Sequence, residues 1–498
     1  MVLNIKGNLN AYYVQMLCMI FFPGAKFPEN EEITEDTISI YVTITESADT
    51  VRAEVVIHSG VKNEKGTAEL PLNENTDREK QKKLTVGRAF MDAGEKFTGF
   101  IPPWGVLTGV RPAKVVTEML HQGLSYDDCV SGMMEEYLVS EVKAKIACDV
   151  AFAENRLITD ASRRCCSVYI AIPFCPSRCS YCSFVSYTSP KLLKLIPEYL
   201  KALAVDIDNT FSVIRELGLT VSSVYIGGGT PTILTETELE FLLNTLSKYV
   251  DGIAEYTLES GRPDTITREK LLLASKYGVD RISVNPQTLD DSVLEKIGRK
   301  HTTEMFYRAY ETARECGIKA INVDTIAGLP YDNSVNFSKT IDKIIELKPE
   351  NVTVHTFTVK KSAEILKDGV FDRDGIDAAV SVKYSEEALM SAGYYPYYMY
   401  RQKNTVGNLE NVGYAKPGFD GLYNVYMMEE VHSIFACGAS SVTKFVSLPV
   451  NGEVKIERLF EPKYPYEYLN DHGGQTGEER RRTLREKALT FYRENNML

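Results

Sequence analysis

A chain of 498 residues exceeds what one ordinary hydrophobic core supports, so two or three domains are expected. With 44% apolar and 25% charged residues it has the make-up of a globular protein without low-complexity bias. Its formal net charge of −12 excludes a general nucleic-acid binder, which needs a basic stripe to displace counterions, but leaves room for an anionic small substrate in a basic pocket.

The first apolar run, Ala11 to Pro23, is shorter than the roughly 20 residues a membrane span requires, and no basic segment or small-residue cleavage site frames it. No membrane span and a cytoplasmic location are expected. Thr37 to Thr45 and Val51 to Ile57 alternate as paired strands do. Charged, helix-favouring sequence follows from about Asp77 to Glu95. A loop with Pro102, Pro103 and the single tryptophan, Trp104, leads into Val106 to Pro112 and then more helix to about Asn155. Residues 1–160 are expected to form an N-terminal α/β domain.

From Ser167 the texture becomes strand then helix, repeated. Short β-rich runs stand at 167–172, 221–226, 254–259, 280–285, 319–325 and 352–358, with amphipathic stretches such as Thr235 to Tyr249 and Thr302 to Cys316 between them. Strands alternating with helices require a parallel sheet with right-handed crossovers. Six units are too few to close an eight-stranded barrel, so 161–385 is expected to be an open, partial (β/α)6 barrel. The alternation fades after about Tyr384, and 386–498 reads as a small C-terminal domain.

Ten cysteines in a chain of this size are not a secreted disulfide framework. Cys18, Cys129, Cys148, Cys316 and Cys437 sit among apolar neighbours and read as core; Cys165 and Cys166 read as structural. The dense stretch is Cys175-Pro-Ser-Arg-Cys179-Ser-Tyr-Cys182, spaced C-x₃-C-x₂-C just after the first of the six strands. Thiolates are soft ligands for iron–sulfur clusters or zinc. A structural zinc wants four ligands, whereas the natural fourth position here is Phe184 and no histidine is near. Three thiolates on a cubane leave one iron open, which is a catalytic arrangement.

In parallel β/α folds chemistry collects at the carboxyl ends of strands. The second of the six strands ends in Gly227-Gly228-Gly229-Thr230, the third at Glu259, the fourth near Asn285 with Gln287 beyond, and the fifth carries Asp324. Singly these are turns or helix caps. Jointly they fit a pocket for ribose hydroxyls and an amino acid. His355, at the sixth strand end, reads as a core histidine, a proton donor or a porphyrin contact.

The run Tyr169-x-x-x-Pro-Phe-Cys175-x₃-Cys179-x-Tyr181-Cys182, then Gly-Gly-Gly-Thr-Pro, Arg281-Ile-Ser-x-x-x-Gln287 and Asp324-x-Ile-x-Gly-Leu-Pro330 resembles the radical S-adenosylmethionine superfamily. In particular it resembles the oxygen-independent coproporphyrinogen III dehydrogenase branch, and the first domain with its Val-Leu-Thr-Gly-Val-Arg-Pro run looks like the longer, HemZ-type members. The resemblance implies that Cys175, Cys179 and Cys182 ligate a [4Fe–4S] cluster. It implies that Tyr169, Tyr181, Gly228, Gly229, Thr230, Glu259, Gln287, Arg299 and Asp324 hold S-adenosylmethionine, Arg299 by spacing alone. The implied reaction is radical removal of a propionate β-hydrogen from coproporphyrinogen III, with loss of carbon dioxide and an electron, giving protoporphyrinogen IX. An electron-donor protein such as flavodoxin or ferredoxin is implied as a partner, and the tetrapyrrole propionates call for cations, for which Arg178, Arg262 and Lys360 are the candidates.

Two positions depart from that branch: Phe184 stands where a fourth cysteine is frequent, and Ala171 where a histidine is. A sister branch of haem-binding chaperones shares the phenylalanine but carries His-Asn-x-x-Tyr-Trp after the barrel, where this chain has Tyr400-Arg-Gln-Lys-Asn404 and no tryptophan. An anaerobic haem-opening radical methyltransferase is a third reading.

Overall fold

The computed structural model describes residues 1–28, 34, 36–72, 77–182, 186–359, 375–450, 452–474 and 477–498, with the backbone alone for 471–474. The chain forms two compact units. One comprises Met1–Ala151 with Met399–Glu410; the other comprises residues 152–359, Ile376–Tyr398 and Asn411–Leu498.

In the first unit β1 (Val2–Lys6), β2 (Ser39–Glu46), β3 (Thr50–Ser59) and β4 (Lys62–Pro71) form a sheet in that order. The first pair is parallel and the other two antiparallel. Alternation sends Ile40, Val42 and Ile44 of β2 and Val51, Ala53, Val55 and Ile57 of β3 to one face. There they share a core with α1 (Ala11–Phe21) and α2 (Arg78–Thr98), whose Leu84, Val86, Ala89, Phe90 and Ala93 are buried. The apolar run Ala11 to Pro23 is thus a core helix. Asp77 caps α2 by accepting from the Glu79 and Lys80 amides, and Gly99 ends it in the left-handed conformation.

The loop after α2 buries Trp104, whose indole N–H donates to Glu410 Oε2 at 2.6 Å while Lys143 Nζ donates to Oε1 at 2.6 Å. Burial alone would raise the Glu410 carboxyl; the Lys143 charge and both hydrogen bonds outweigh it and hold the group below its ordinary value.

In the second unit β5 (Cys165–Ile172), β6 (Thr220–Gly228), β7 (Glu255–Leu258), β8 (Arg281–Ser283), β9 (Ala320–Ala327) and β10 (Asn351–Thr356) are the six expected strands. Each is parallel to the next. Helices Ile196–Glu216, Glu236–Leu246, Arg268–Lys276, Thr303–Glu315 and Ser334–Leu347 provide the crossovers. This is the partial parallel (β/α) barrel, buried on both sides as parallel sheets must be. The later strands β11 (Tyr395–Arg401), β12 (Glu410–Ala415), β13 (Ser433–Cys437), β14 (Val442–Val446) and β15 (Ile456–Phe460) extend the same sheet, giving the order β11-β12-β10-β9-β8-β7-β6-β5-β13-β14-β15. β12 runs antiparallel to β10 and β13 parallel to β5. Glu255 at the start of β7 secures the C-terminal segment by accepting from the amides of Leu422 (2.7 Å) and Tyr423 (3.3 Å) at the start of helix Leu422–Met428. Among the described residues no helix is long and apolar enough to cross a membrane.

Glu410→Ala strands a buried Lys143 ammonium and the Trp104 N–H. The first unit is expected to lose about 3–5 kcal/mol, measured as a lower midpoint in thermal unfolding followed by Trp104 emission.

Candidate functional site

The carboxyl ends of β5 to β10 gather the site. Directly after β5 the cysteine loop is pinned on three sides. Gly229 N donates to Ile172 O and Thr230 N to Phe174 O, both at 2.8 Å, tying the loop to the end of β6. Cys175 N donates to Tyr187 O at 3.1 Å, and Ser180 N to Ile297 O at 3.0 Å. The first contact requires glycine: a Cβ on Gly229 would stand 2.4 Å from Phe174 O and 3.0 Å from Cys175 Sγ. Gly228, at φ +118°, holds the backbone turn where a side chain would be strained.

Cys175 and Cys179 are buried and Cys182 is partly exposed. Cys175 Sγ and Thr230 Oγ1 share a hydrogen bond of 3.2 Å, and burial pushes this thiol up to about 11 despite that bond. Among the described residues no three histidine, cysteine or acidic side chains are gathered round a single point as ligands of one ion.

Two guanidiniums meet Cys179. Arg299 Nη1 reaches its Sγ at 3.9 Å and the Tyr181 hydroxyl at 3.2 Å, while Nη2 donates to Gly261 O at 3.3 Å and to Asn285 O. Only 7% of Arg299 is exposed, so it is no solvated neighbour of Lys300. Arg262 Nη1 reaches Cys179 Sγ at 4.0 Å and donates to the Ser177 hydroxyl at 2.8 Å. Its other nitrogens are clamped by Asp264 at 3.0 and 2.8 Å. Arg262 is 4% exposed. Its expected place at a substrate mouth is therefore corrected: the Asp264 clamp turns it under the cysteine loop. Arg178 is exposed on the loop, and Lys360 and Phe184 lie outside the described residues. His301 stands beneath Arg299, taking its Nε–H at 3.4 Å; burial and then the Arg299 charge push it down to about 3, so it is neutral.

Two carboxylates, Glu259 just past β7 and Asp324 within β9, have opposite protonation. Burial, reinforced by the negative charge of Asp324, pushes Glu259 up to about 8, although the Gly228 amide faces its Oε2 at 3.4 Å. Asp324 is equally enclosed, but hydrogen bonds and the charge of His355 outweigh burial and keep it low. Asn285 Nδ2 and Asn322 Nδ2 each donate to it at 2.7 Å, and His355 Nε2 lies 3.8 Å away. Environments that push paired groups apart leave one acid neutral and one charged at neutral pH. Gln287 sits beside them at φ +70°, its amide donating to Asp324 O at 3.1 Å, with Oε1 buried and unpartnered.

Tyr169 lies in a stack of three rings, 6.1 Å from Tyr225 and 6.2 Å from Tyr423, which are 4.6 Å from each other. Burial and then the neighbouring Glu259 charge push the Tyr169 hydroxyl well up. Tyr423 arrives from the C-terminal segment, and no local pattern marks it.

Residues 169–344 match the family model described as the radical SAM superfamily. The chain is 34% identical over 475 residues to the oxygen-independent coproporphyrinogen-III oxidase-like protein HemZ of Bacillus subtilis, covering 93% of this chain and 92% of that one. The chain belongs to the HemZ-type branch of the radical S-adenosylmethionine superfamily. It is also 29% identical over 306 residues to the haem chaperone HemW of Bacillus subtilis, covering 60% of this chain and 77% of that one. The solved structure of Escherichia coli coproporphyrinogen III oxidase, HemN, is similar at a TM-score of 0.49 and 22% identity, over 65% of this chain and 73% of that one.

The cofactors of this HemZ-type family are a [4Fe–4S] cluster and S-adenosylmethionine. The residues present fit both. Thiolate ligation makes a cluster negative, and two buried guanidiniums already face Cys179 to offset that charge. A cationic ligand with an amino group and ribose hydroxyls suits one ionised acid, one acid poised to ionise, and the free acceptor of Gln287.

The pH dependence of the cofactor-free protein follows. Because Glu259 is raised from its ordinary 4.5 to about 8, its contribution to stability is whole below pH 4.5 and is lost as pH rises through 8. Glu259→Gln removes a slope of at most about 1.4 kcal/mol per pH unit across that window, so its thermal midpoint falls less between pH 5 and 8 than that of the wild type.

Proposed function

We propose that this HemZ-type chain is a radical S-adenosylmethionine coproporphyrinogen III dehydrogenase. The observation that carries the reading is the likeness over 93% of the chain to a relative called coproporphyrinogen-III oxidase-like. A three-cysteine loop, two buried guanidiniums at Cys179 and a split carboxylate pair on the same side of the parallel barrel support it.

In this reading Cys175, Cys179 and Cys182 hold the cluster, and Arg262 and Arg299 offset its charge. Gly228, Gly229 and Thr230 line the methionine part of S-adenosylmethionine, Glu259, Gln287 and Asp324 its ammonium and ribose, and Tyr169 and Tyr181 pack against it. Together the two cofactors, when bound, supply hydrogen-atom abstraction. The chain's own part is to orient a propionate β-carbon toward the reacting centre, exclude water, and keep Asp324 ionised through Asn285, Asn322 and His355. Loss of the β-hydrogen atom, then of carbon dioxide and one electron to an acceptor, leaves a vinyl group. Residues 386–498 close the substrate mouth, and a cytoplasmic electron-donor protein such as flavodoxin or ferredoxin supplies the reducing electron.

The likeness to HemW keeps haem binding without tetrapyrrole conversion as the second reading. Anaerobic reconstitution with dithionite, S-adenosylmethionine and coproporphyrinogen III decides between them. Release of 5′-deoxyadenosine and carbon dioxide together, absent in Cys179→Ala, is expected; a loaded cluster with no carbon dioxide sinks the dehydrogenase and makes haem titration the next measurement. Arg299→Met removes a cation at Cys179, so the cluster potential is expected to move negative by on the order of tens of millivolts in a spectroelectrochemical titration.

A further inference from the structure

Two segments with no part in the radical chemistry, Val106 to Pro112 and Tyr400 to Asn404, meet in the first unit. Thr108 and Val110 of one, and Arg401 and Lys403 of the other, line a cavity whose remaining wall includes Met16 and Met19 of α1. Among the described residues lining it none is acidic.

Arg401 is 5% exposed and makes no ion pair among the described residues. Its Nη1 donates to Leu107 O at 2.7 Å and its Nη2 to Asn408 O at 3.3 Å, both neutral carbonyls. Its guanidinium carbon lies 5.5 Å from the Trp104 ring. Nε–H is buried without an acceptor, and so is the side-chain amide nitrogen of Asn408 on the same cavity. The acid whose charge reaches Arg401, Glu410, already receives Lys143 and Trp104. A buried cation satisfied only by carbonyls is costly, and an anion brought beside it recovers much of that cost. Lys403, whose Nζ stands 4.5 Å over the Tyr12 ring, adds a second positive charge. The thioethers of Met16 and Met19 offer an adaptable apolar wall.

We propose that this cavity is a binding site for a carboxylate carried on an apolar body, with Arg401 holding the carboxylate and Met16 and Met19 the apolar part. Two sources share that chemistry: a propionate arm of a tetrapyrrole and a free short-chain carboxylate. The site stands independently of the decarboxylation reading.

The test is a titration of hexanoate into the full-length, cluster-loaded protein, read by the emission of Trp104, the one tryptophan of the chain. A saturable change is expected with hexanoate and none with hexanol or hexylamine. Arg401→Gln is expected to weaken the response about tenfold or more. Met19→Glu, which puts a fixed carboxylate on the cavity wall while leaving Arg401 in place, is expected to do the same and serves if Arg401→Gln does not fold. Competition by coproporphyrin III identifies the propionate arm as the occupant; hexanoate binding without competition identifies a free carboxylate. No saturable response in the wild-type chain, or undiminished affinity in folded Met19→Glu protein, overturns the proposal. The readout is binding, so absence of carbon dioxide release would leave it untouched.

Discussion

The site depends on how closely the end of β6 lies against the cysteine loop. Backbone hydrogen bonds of 2.8 Å from Gly229 and Thr230 hold the loop to the sheet, at a separation that leaves no room for a Cβ at position 229. A larger residue would drive the loop off β6 and break the bond between Thr230 and Cys175. It would also lift Cys179 away from Arg262 and Arg299, because the same short loop carries both cysteines. Glycine is needed at Gly229 for space and at Gly228 for its dihedral angle, and the two requirements meet in consecutive residues.

Burial then sorts the charges. The guanidiniums of Arg262 and Arg299 sit on the cysteine side, one clamped by Asp264 and the other by backbone carbonyls and Tyr181. The acids are Glu259, just past the end of β7, and Asp324, within β9. Glu259, with a single weak amide contact, is neutral, and Asp324, with two amide donors and a histidine, is charged. Two buried carboxyl groups acquire opposite states because Asp324 has close donors and the His355 charge, while Glu259 has one long amide contact and a negative neighbour. One acid already ionised and one still protonated therefore stand in the same region of the barrel.

Much of this was readable in the residues. The six β-rich runs between 167 and 358 became β5 to β10, since strands of a covered parallel sheet are rich in β-branched and aromatic residues. The three-cysteine spacing, the glycine run and the polar strand ends marked one face of the barrel. Arg299 was placed by spacing alone, and its burial against Cys179 supplies a physical role for it. Arg262 read as a surface or mouth charge because nothing in Ser-Gly-Arg-Pro reports burial, although Asp264 two residues on was the available signal. Tyr423, the joining of β12 to β10 and of β13 to β5, and the docking of helix Leu422–Met428 on Glu255 had none, since the partners lie far away in sequence.

By itself the sequence determined the features that neighbours along the chain control: strand and helix period, the three soft ligands in one loop, and the glycines where the backbone must come close. Tertiary structure decided which charges are buried and brought the partners that lie on other strands. Asp324 differs from Glu259 in the donor Asn285 and the charge of His355 brought from neighbouring strands, and Arg401 differs from a surface arginine in the carbonyls and the indole folded around it. Protonation and charge balance depend on dielectric and distance, and both are set by residues remote in sequence and near in space.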